Sequence, residues 1–197
     1  MLLDVKELTK HFPVRSGIFS RIKGWLYAVD GVSFDIDSGE IFGLVGESGC
    51  GKTTTGRLII RLLEPTSGTV KFMGRDIQEL SGAELRRLRR MIQIIFQDPF
   101  ASLNPRKRIH QILGDPLLVH RVLDKKEVPH EVQSLLETVG LTPADKFVDR
   151  YPHELSGGQR QRIAVARAIS LKPNFIVADE PVTALDVSIR AQIINLL

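Results

Sequence analysis

With 197 residues, 43% hydrophobic and 25% charged, the chain is long enough for one sizeable core plus a subdomain, and it reads as a water-soluble globular fold. A single cysteine, Cys50, excludes an internal disulfide framework, and five histidines without ligand spacing argue against a protein metal cage. No apolar run nears the ~18 residues needed to cross a bilayer, and Asp4, Lys6 and Glu7 stand too early for a secretory signal, so a cytoplasmic location is expected. The net charge of +4 concentrates in Arg86–Arg90 and Arg106–Arg108, runs that suit either a solvated face or a phosphate or nucleic-acid contact.

In chain order, residues 19–26 ("FSRIKGWL") mix bases with apolar groups, as an insertion loop or a membrane-surface contact would. "VSFDID" alternates, with Val32, Phe34 and Ile36 on one face and Ser33, Asp35 and Asp37 on the other, which predicts a strand. After the turn "DSGE", "IFGLVG" (residues 41–46) is apolar without alternation and predicts a parallel strand covered on both faces. A helix is expected from Lys52 to Leu63, stopped by Pro65. "TVKFM" predicts a strand, Ser81–Glu84 a capping box opening a short basic helix, and "MIQIIF" a strand ending at Gln97. Residues 105 to 151 read as helical: Val132, Leu135, Leu136 and Val139 form an i, i+3, i+4, i+7 stripe, Gly140 suits a C-cap, and Thr142 with Pro143 suits a new helix start. Ser156 is a natural N-cap for the helix leading to "NFIVADE", a second buried strand ending in Asp179 and Glu180. The fold class expected is α/β, a P-loop core with an N-terminal antiparallel β subdomain and an inserted α-helical subdomain. The core takes 1–104 and 171–197, and the insertion takes 105–170.

"GESGCGKT", Gly46 to Thr53, matches G-x-x-x-x-G-K-[ST] between an expected strand and an expected helix, the context of a P-loop. Its glycines let backbone N–H groups wrap phosphate, Lys52 reaches the β- and γ-phosphates, and the Thr53 hydroxyl ligates Mg²⁺. The nucleotide-binding stretch is Gly46, Glu47, Ser48, Gly49, Cys50, Gly51, Lys52, Thr53 and Thr54. Cys50 is either a small tolerated residue or a thiol made reactive by the helix start and Lys52. Asp179 at the end of an apolar strand is placed to hold Mg²⁺, and Glu180 beside it to polarise the attacking water. A second anion site lies at Ser156, where Gly157 and Gly158 clear the first turn and Gln159, Arg160 and Arg162 crowd donors around it.

The P-loop, "LSGGQ" (Leu155–Gln159), "VADEP" and "ALD" (Ala184–Asp186), in this order, resemble the ATPase subunit of an ABC transporter over essentially the whole chain. The resemblance implies two ATPase subunits packed head to tail, each ATP held between one chain's P-loop and the other chain's Ser156, Gly157, Gly158 and Gln159. That accounts for two phosphate-binding helix starts in one domain. It also implies that Gln97 senses Mg²⁺ and γ-phosphate and couples to a membrane permease, that Asp186 faces the partner subunit, and that Phe12 stacks on adenine. For Phe12, Tyr27 is the second candidate, and plain strand packing remains open for both. "FQDPFASLNPRKR" and "RYPHELSGGQRQRIAVARA" are similar to ATPases of the oligopeptide/dipeptide importer group. The partners expected are a second ATPase subunit, homo- or heterotypic, permease subunits and, indirectly, a solute-binding protein, with no nucleic acid. The expected location is peripheral on the inner face of the cell membrane.

Two alternatives stand beside this: an ABC ATPase acting on nucleic acid or ribosomes, and a nucleotide-binding fragment without turnover. Family members continue with a core strand ending in a histidine at the γ-phosphate, and none of the five histidines here follows Asp179. The chain is therefore expected to be a C-terminally truncated form whose sheet has a gap between the strand before the P-loop and the strand before Asp179.

Overall fold

β1 (Leu3–Ser16) and β2 (Arg21–Ile36) form a long antiparallel hairpin. β3 (Ser67–Phe72) pairs with the other edge of β1, and β4 (Arg75–Asp76) lies outside it, giving the order β2-β1-β3-β4. The computed structural model describes residues 1–16, 21–98, 102–180, 191 and 194. Its contacts divide the chain into two units, Met1–Leu88 and Arg89–Leu197.

In the first unit the strand period selects the core. Leu3 and Val5 lie opposite Ile36 and Phe34 on one side and Phe72 and Val70 on the other. A register shift between Val5 and Leu8, where Glu7 takes a φ of 47°, restores the inward face at Leu8, which is fully buried. The expected alternation in "VSFDID" is present: Ile36 is buried and Val32 and Phe34 are half-buried, while Ser33 and Asp35 are exposed. Residues 21–26 belong to β2 rather than to an insertion loop. The pairs Arg15↔Ile22 and Pro13↔Trp25 carry the ladder outward through a stretch rich in strand-favouring side chains. Residues 19 and 20 lie outside the described residues.

Two expectations are corrected here. Residues 41–46 form no strand: Ile41 is 97% and Val45 93% exposed, and among the described residues no strand pairs with them. Apolar composition alone does not hold an extended chain in a sheet; ladder bonds to a neighbour do. Phe42 instead stacks on Phe34, with ring centroids 4.9 Å apart. The helix after the P-loop, α1 (Lys52–Ile59), ends earlier than Leu63. Arg61 turns left-handed at φ 53° and its guanidinium donates to the carbonyls of Ile77 and Leu80 and to Glu64, a set of bonds that a continued helix would break.

α2 (Gly82–Met91) leads into β5 (Ile92–Ile95), which pairs in parallel with β6 (Phe175–Ala178) from Ile92↔Phe175 to Ile95↔Ala178. β6 was expected to be buried, yet Phe175, Ile176 and Val177 are half-buried and Ala178 is exposed, since β5 is its one neighbour among the described strands. Against β5 packs α5 (Gly157–Ile169), and α3 (Ile109–Val119) and α4 (Val128–Thr138) pack on it and on each other around the same core. Their core includes Ile95, Ile109, Leu113, Leu136, Ile163 and Val165, each with no exposed surface. The α4 stripe faces this core as expected, with Val132, Leu135, Leu136 and Val139 exposed by only 1%, 6%, 0% and 3%. Gly140 supplies the left-handed residue after the helix end at φ 70°.

The helix expected after Thr142 is a single 3-10 turn, Ala144–Lys146, with Pro143 at its cap position. The carbonyls of Val148 and Arg150 are needed elsewhere. They accept the first-turn N–H groups of His110 and Ile109 on α3, at 2.9 Å each, so the chain cannot coil on through them.

Candidate functional site

The P-loop lies wholly in the first unit. Lys52 turns its ammonium back into the loop, where Nζ donates to the carbonyls of Gly46 and Glu47 at 2.7 Å each and stands 3.6 Å from Cys50 Sγ. Gly46, Glu47, Cys50 and Lys52 are thus brought together, and Ser48 and Gly49 complete an exposed turn around them.

Gly51 is the N-cap of α1, at φ 97° and ψ 2°, and no side chain caps the helix there. A helix start of this kind points first-turn N–H groups outward, an arrangement that suits an anion. A Cβ at Gly51 would stand 2.1 Å from the Ala28 carbonyl oxygen, so the glycine seats the helix start against β2. Thr53 and Thr54 follow in the first turn of α1 and are half-buried.

Phe12 and Tyr27 occupy neighbouring rungs of the β1–β2 hairpin. Phe12 pairs with Leu26 and carries Lys10 Nζ 5.1 Å from its ring centroid, whereas Tyr27 pairs with His11 and meets its ring edge-on at 4.3 Å. Successive residues of a strand point to opposite faces, so the two aromatic candidates cannot both face one base.

In the second unit Ser156 caps α5 with a reciprocal pair. Its Oγ accepts from Gln159 N at 3.3 Å, and Gln159 Oε1 accepts from Ser156 N at 3.0 Å. Gln159 therefore serves first as a cap partner, a serine-x-x-glutamine pattern that was legible in the sequence. Gly157 and Gly158 leave the first turn without side chains. Arg162 leans away from that end and donates to Gly140 O at 2.9 Å, tying α5 to the end of α4.

The ends of β5 and β6 hold the remaining candidates. Asp179 N donates to Ile95 O at 2.9 Å, extending the parallel ladder by one residue. Beyond it Gln97 Nε2 donates to Glu180 Oε2 at 2.8 Å. Glu180 itself sits at φ 47°, a backbone region that a side chain other than glycine seldom adopts. Asp186 lies outside the described residues.

Sequence reasoning missed Arg167. It stands among buried residues of α5, and its Nη1 donates to Ser102 O at 2.6 Å, anchoring the chain that follows Gln97. Burial lowers its pKa below the usual arginine value. The signal was a lone arginine within "IAVARAI", on a helix otherwise apolar at those positions. Beside it a cleft of about 470 Å³ opens between Arg89, Lys107, Ile112, Val119, Arg167 and Leu171.

A family model described as "ABC transporter" matches residues 29–183. The oligopeptide transport ATP-binding protein AppF of Bacillus subtilis is 54% identical over 197 residues, covering 100% of this chain and 59% of its own length. The glutathione import ATP-binding protein GsiA of Pectobacterium atrosepticum is 52% identical over 196 residues, covering 100% of this chain and 31% of its own. This chain thus spans 59% and 31% of the two relatives. Among solved structures, the dimeric post-hydrolysis state of the ATP-binding cassette MJ0796 bound to ADP and Pi is similar at a TM-score of 0.87 and 30% identity, with 99% of this chain and 81% of that one covered. The chain belongs to the ABC transporter family, as an ATP-binding cassette.

Proposed function

We propose that this cassette binds and hydrolyses ATP to energise an importer of peptides or related solutes. The observation that carries the reading is the P-loop itself: an ammonium held by two loop carbonyls at 2.7 Å, beside a helix start that no side chain caps. The ammonium is the donor for a polyphosphate, for which Lys52 exchanges its carbonyl partners. The names of AppF and GsiA, oligopeptide transport and glutathione import, support the solute class.

In this reading the α/β core, 1–104 and 171–197, carries the P-loop and the carboxylates, and 105–170 is the helical insertion. Glu180 accepts the proton of the attacking water. Ser156, Gly157, Gly158 and Gln159 of one copy contact the γ-phosphate bound by the P-loop of the other, and the dimeric MJ0796 cassette supports that assembly. Phe12 is taken as the adenine contact.

A Mg²⁺ ion is assigned as the nucleotide's companion from the chemistry of the donor set alone. Mg²⁺ at nucleotide sites is held by few protein oxygens together with substrate phosphates, and hydroxyl, amide and carboxylate oxygens suit it. Thr53, Gln97 and Asp179 are the oxygen donors that would hold it, and it would supply neutralisation of phosphate charge. The basic cleft beside Arg167 is where permease subunits would dock, with a solute-binding protein acting through them. The place of the chain in this reading is peripheral, on the inner face of the cell membrane; among the described residues no helix is long and apolar enough to cross a membrane.

The test is binding and turnover of Mg-ATP by the wild-type chain, Lys52→Ala and Glu180→Gln. Lys52→Ala should lose ATP binding, and Glu180→Gln should bind ATP without turning it over. Wild-type affinity in Lys52→Ala, or full turnover in Glu180→Gln, refutes the assignment.

A further inference from the structure

We propose that the outer part of the β1–β2 hairpin is a contact for anionic phospholipid at a bilayer surface. The inference deepens the reading that places the chain on the inner face of the cell membrane, and it rests on that reading for the source of the lipid. β3 pairs with β1 only from Leu3 to Thr9, whereas β2 follows β1 out to Ser16. Residues 10–16 and their partners on β2 therefore form a two-stranded ribbon, about 20 Å long at the rise of an extended chain. Among the described residues no third strand pairs with it.

A two-stranded ribbon has little core in which to bury apolar groups. This one nevertheless carries Val14, Ile22, Trp25, Leu26 and Tyr27, which are 49% to 62% exposed. The ladder sets Tyr27, Trp25 and Ile22 opposite His11, Pro13 and Arg15, alternate residues of β1, so all six share one face. Phe12, taken as the adenine contact, lies opposite Leu26 on the other face. Nucleotide therefore makes no demand on Trp25 or Ile22.

Charge identifies the partner. No aspartate or glutamate stands between Glu7 and Asp30, whereas Lys10, Arg15, Arg21 and Lys23 all do. Arg15, Arg21 and Lys23 are exposed, and among the described residues no ion pair engages them. Lys23 falls in the register shift between Val14↔Gly24 and Arg15↔Ile22, with no residue opposite it. Exposed tryptophan and tyrosine, aliphatic neighbours and flanking bases together match the headgroup layer of an anionic bilayer. The rings and aliphatic groups enter the boundary, and the cations meet lipid phosphate. Nucleic acid would stack bases on rings, and Val14, Ile22 and Leu26 offer it none. The unpaired backbone edges keep the ribbon in the hydrated headgroup layer, because hydrocarbon would leave them unsatisfied.

Trp25 is the one tryptophan of the chain and reports on the ribbon directly. The full chain, without nucleotide, is titrated with vesicles of phosphatidylcholine alone and of phosphatidylcholine mixed equally with phosphatidylglycerol. Only the anionic vesicles should shift the Trp25 emission to the blue, brominated lipid chains should quench it, and added salt should reverse the effect. Arg21→Ala combined with Lys23→Ala, at an unchanged thermal melt, should weaken binding roughly thirtyfold, about fivefold for each base removed. Its Mg-ATP turnover should stay at the wild-type rate. Ile22→Asn should weaken binding roughly tenfold while Trp25 still reports it.

An indole indifferent to both vesicles overturns the proposal. So does sedimentation with anionic vesicles while the indole stays unquenched, which moves the contact to another face. Equal responses to the two vesicles remove the role of the bases and overturn it as well. A response to single-stranded DNA and none to lipid assigns the face to nucleic acid, and a shift that grows with protein concentration alone assigns it to a second copy; either result overturns the lipid contact. Mg-ATP turnover with an indifferent indole removes this contact and leaves the ATPase reading, whereas a chain that neither turns over nor meets lipid removes both.

Discussion

Gly51→Ala tests how the P-loop helix is seated, and Gly49→Ala supplies its internal control. Both glycines have positive φ, 97° at Gly51 and 82° at Gly49. Alanine at either position takes up a left-handed strain of about 1–2 kcal/mol. The surroundings then separate them. A Cβ at Gly49 meets nothing within 4 Å, whereas one at Gly51 lies 2.1 Å from the backbone oxygen of Ala28. No rotamer change relieves a backbone clash, so α1 or β2 must move by about an ångström, adding roughly 1–3 kcal/mol of overpacking. Gly51→Ala should therefore cost about 2–5 kcal/mol against about 1–2 for Gly49→Ala. Trp25, the one tryptophan of the chain, lies on β2 in the same unit and reports its unfolding by fluorescence in urea. Equal midpoint shifts for the two variants would refute the close approach at Gly51.

Two further outcomes are expected. Ser156→Ala removes the hydroxyl that accepts from Gln159 N and should cost about 1 kcal/mol of stability, read from the denaturant midpoint; an unchanged midpoint would mean that the cap carries no weight in α5. Cys50 is exposed and lies 3.6 Å from Lys52 Nζ, so iodoacetamide should modify it and Mg-ATP should slow the reaction. Equal rates with and without nucleotide would place phosphate away from this loop.

The elements legible in the sequence were those whose signal is local. The α4 stripe from Val132 to Val139 is a surface pattern that one helix writes by itself, and it is buried as written. Gly140 and Ser156 mark helix ends through backbone and side-chain chemistry confined to a few residues, and both hold. Residues 41–46 failed because a strand exists only with a partner, and the apolar run carries no information about whether one is at hand. The end of α1 at Ile59 rather than Leu63 turned on Arg61 reaching the carbonyls of Ile77 and Leu80, and the 3-10 turn at Ala144 on carbonyls taken up by α3. The site divides in the same way. The P-loop could be read residue by residue, because its backbone encloses its own lysine. The contacts Gln97–Glu180 and Arg167–Ser102 join residues 83 and 65 apart, and no spacing rule in the sequence announces them.

The central claim is that the Ser156 helix of one chain completes the P-loop site of another, and mixing two inactive variants tests it directly. Lys52→Ala chains keep an intact Ser156 helix, and Ser156→Arg chains keep an intact P-loop. Each alone should show no turnover of Mg-ATP. Mixed in equal amounts they should recover about a quarter of the wild-type rate, since half of randomly formed two-fold dimers are hybrids with one complete site of two. An active wild-type chain whose two variants stay silent when mixed would contradict the account.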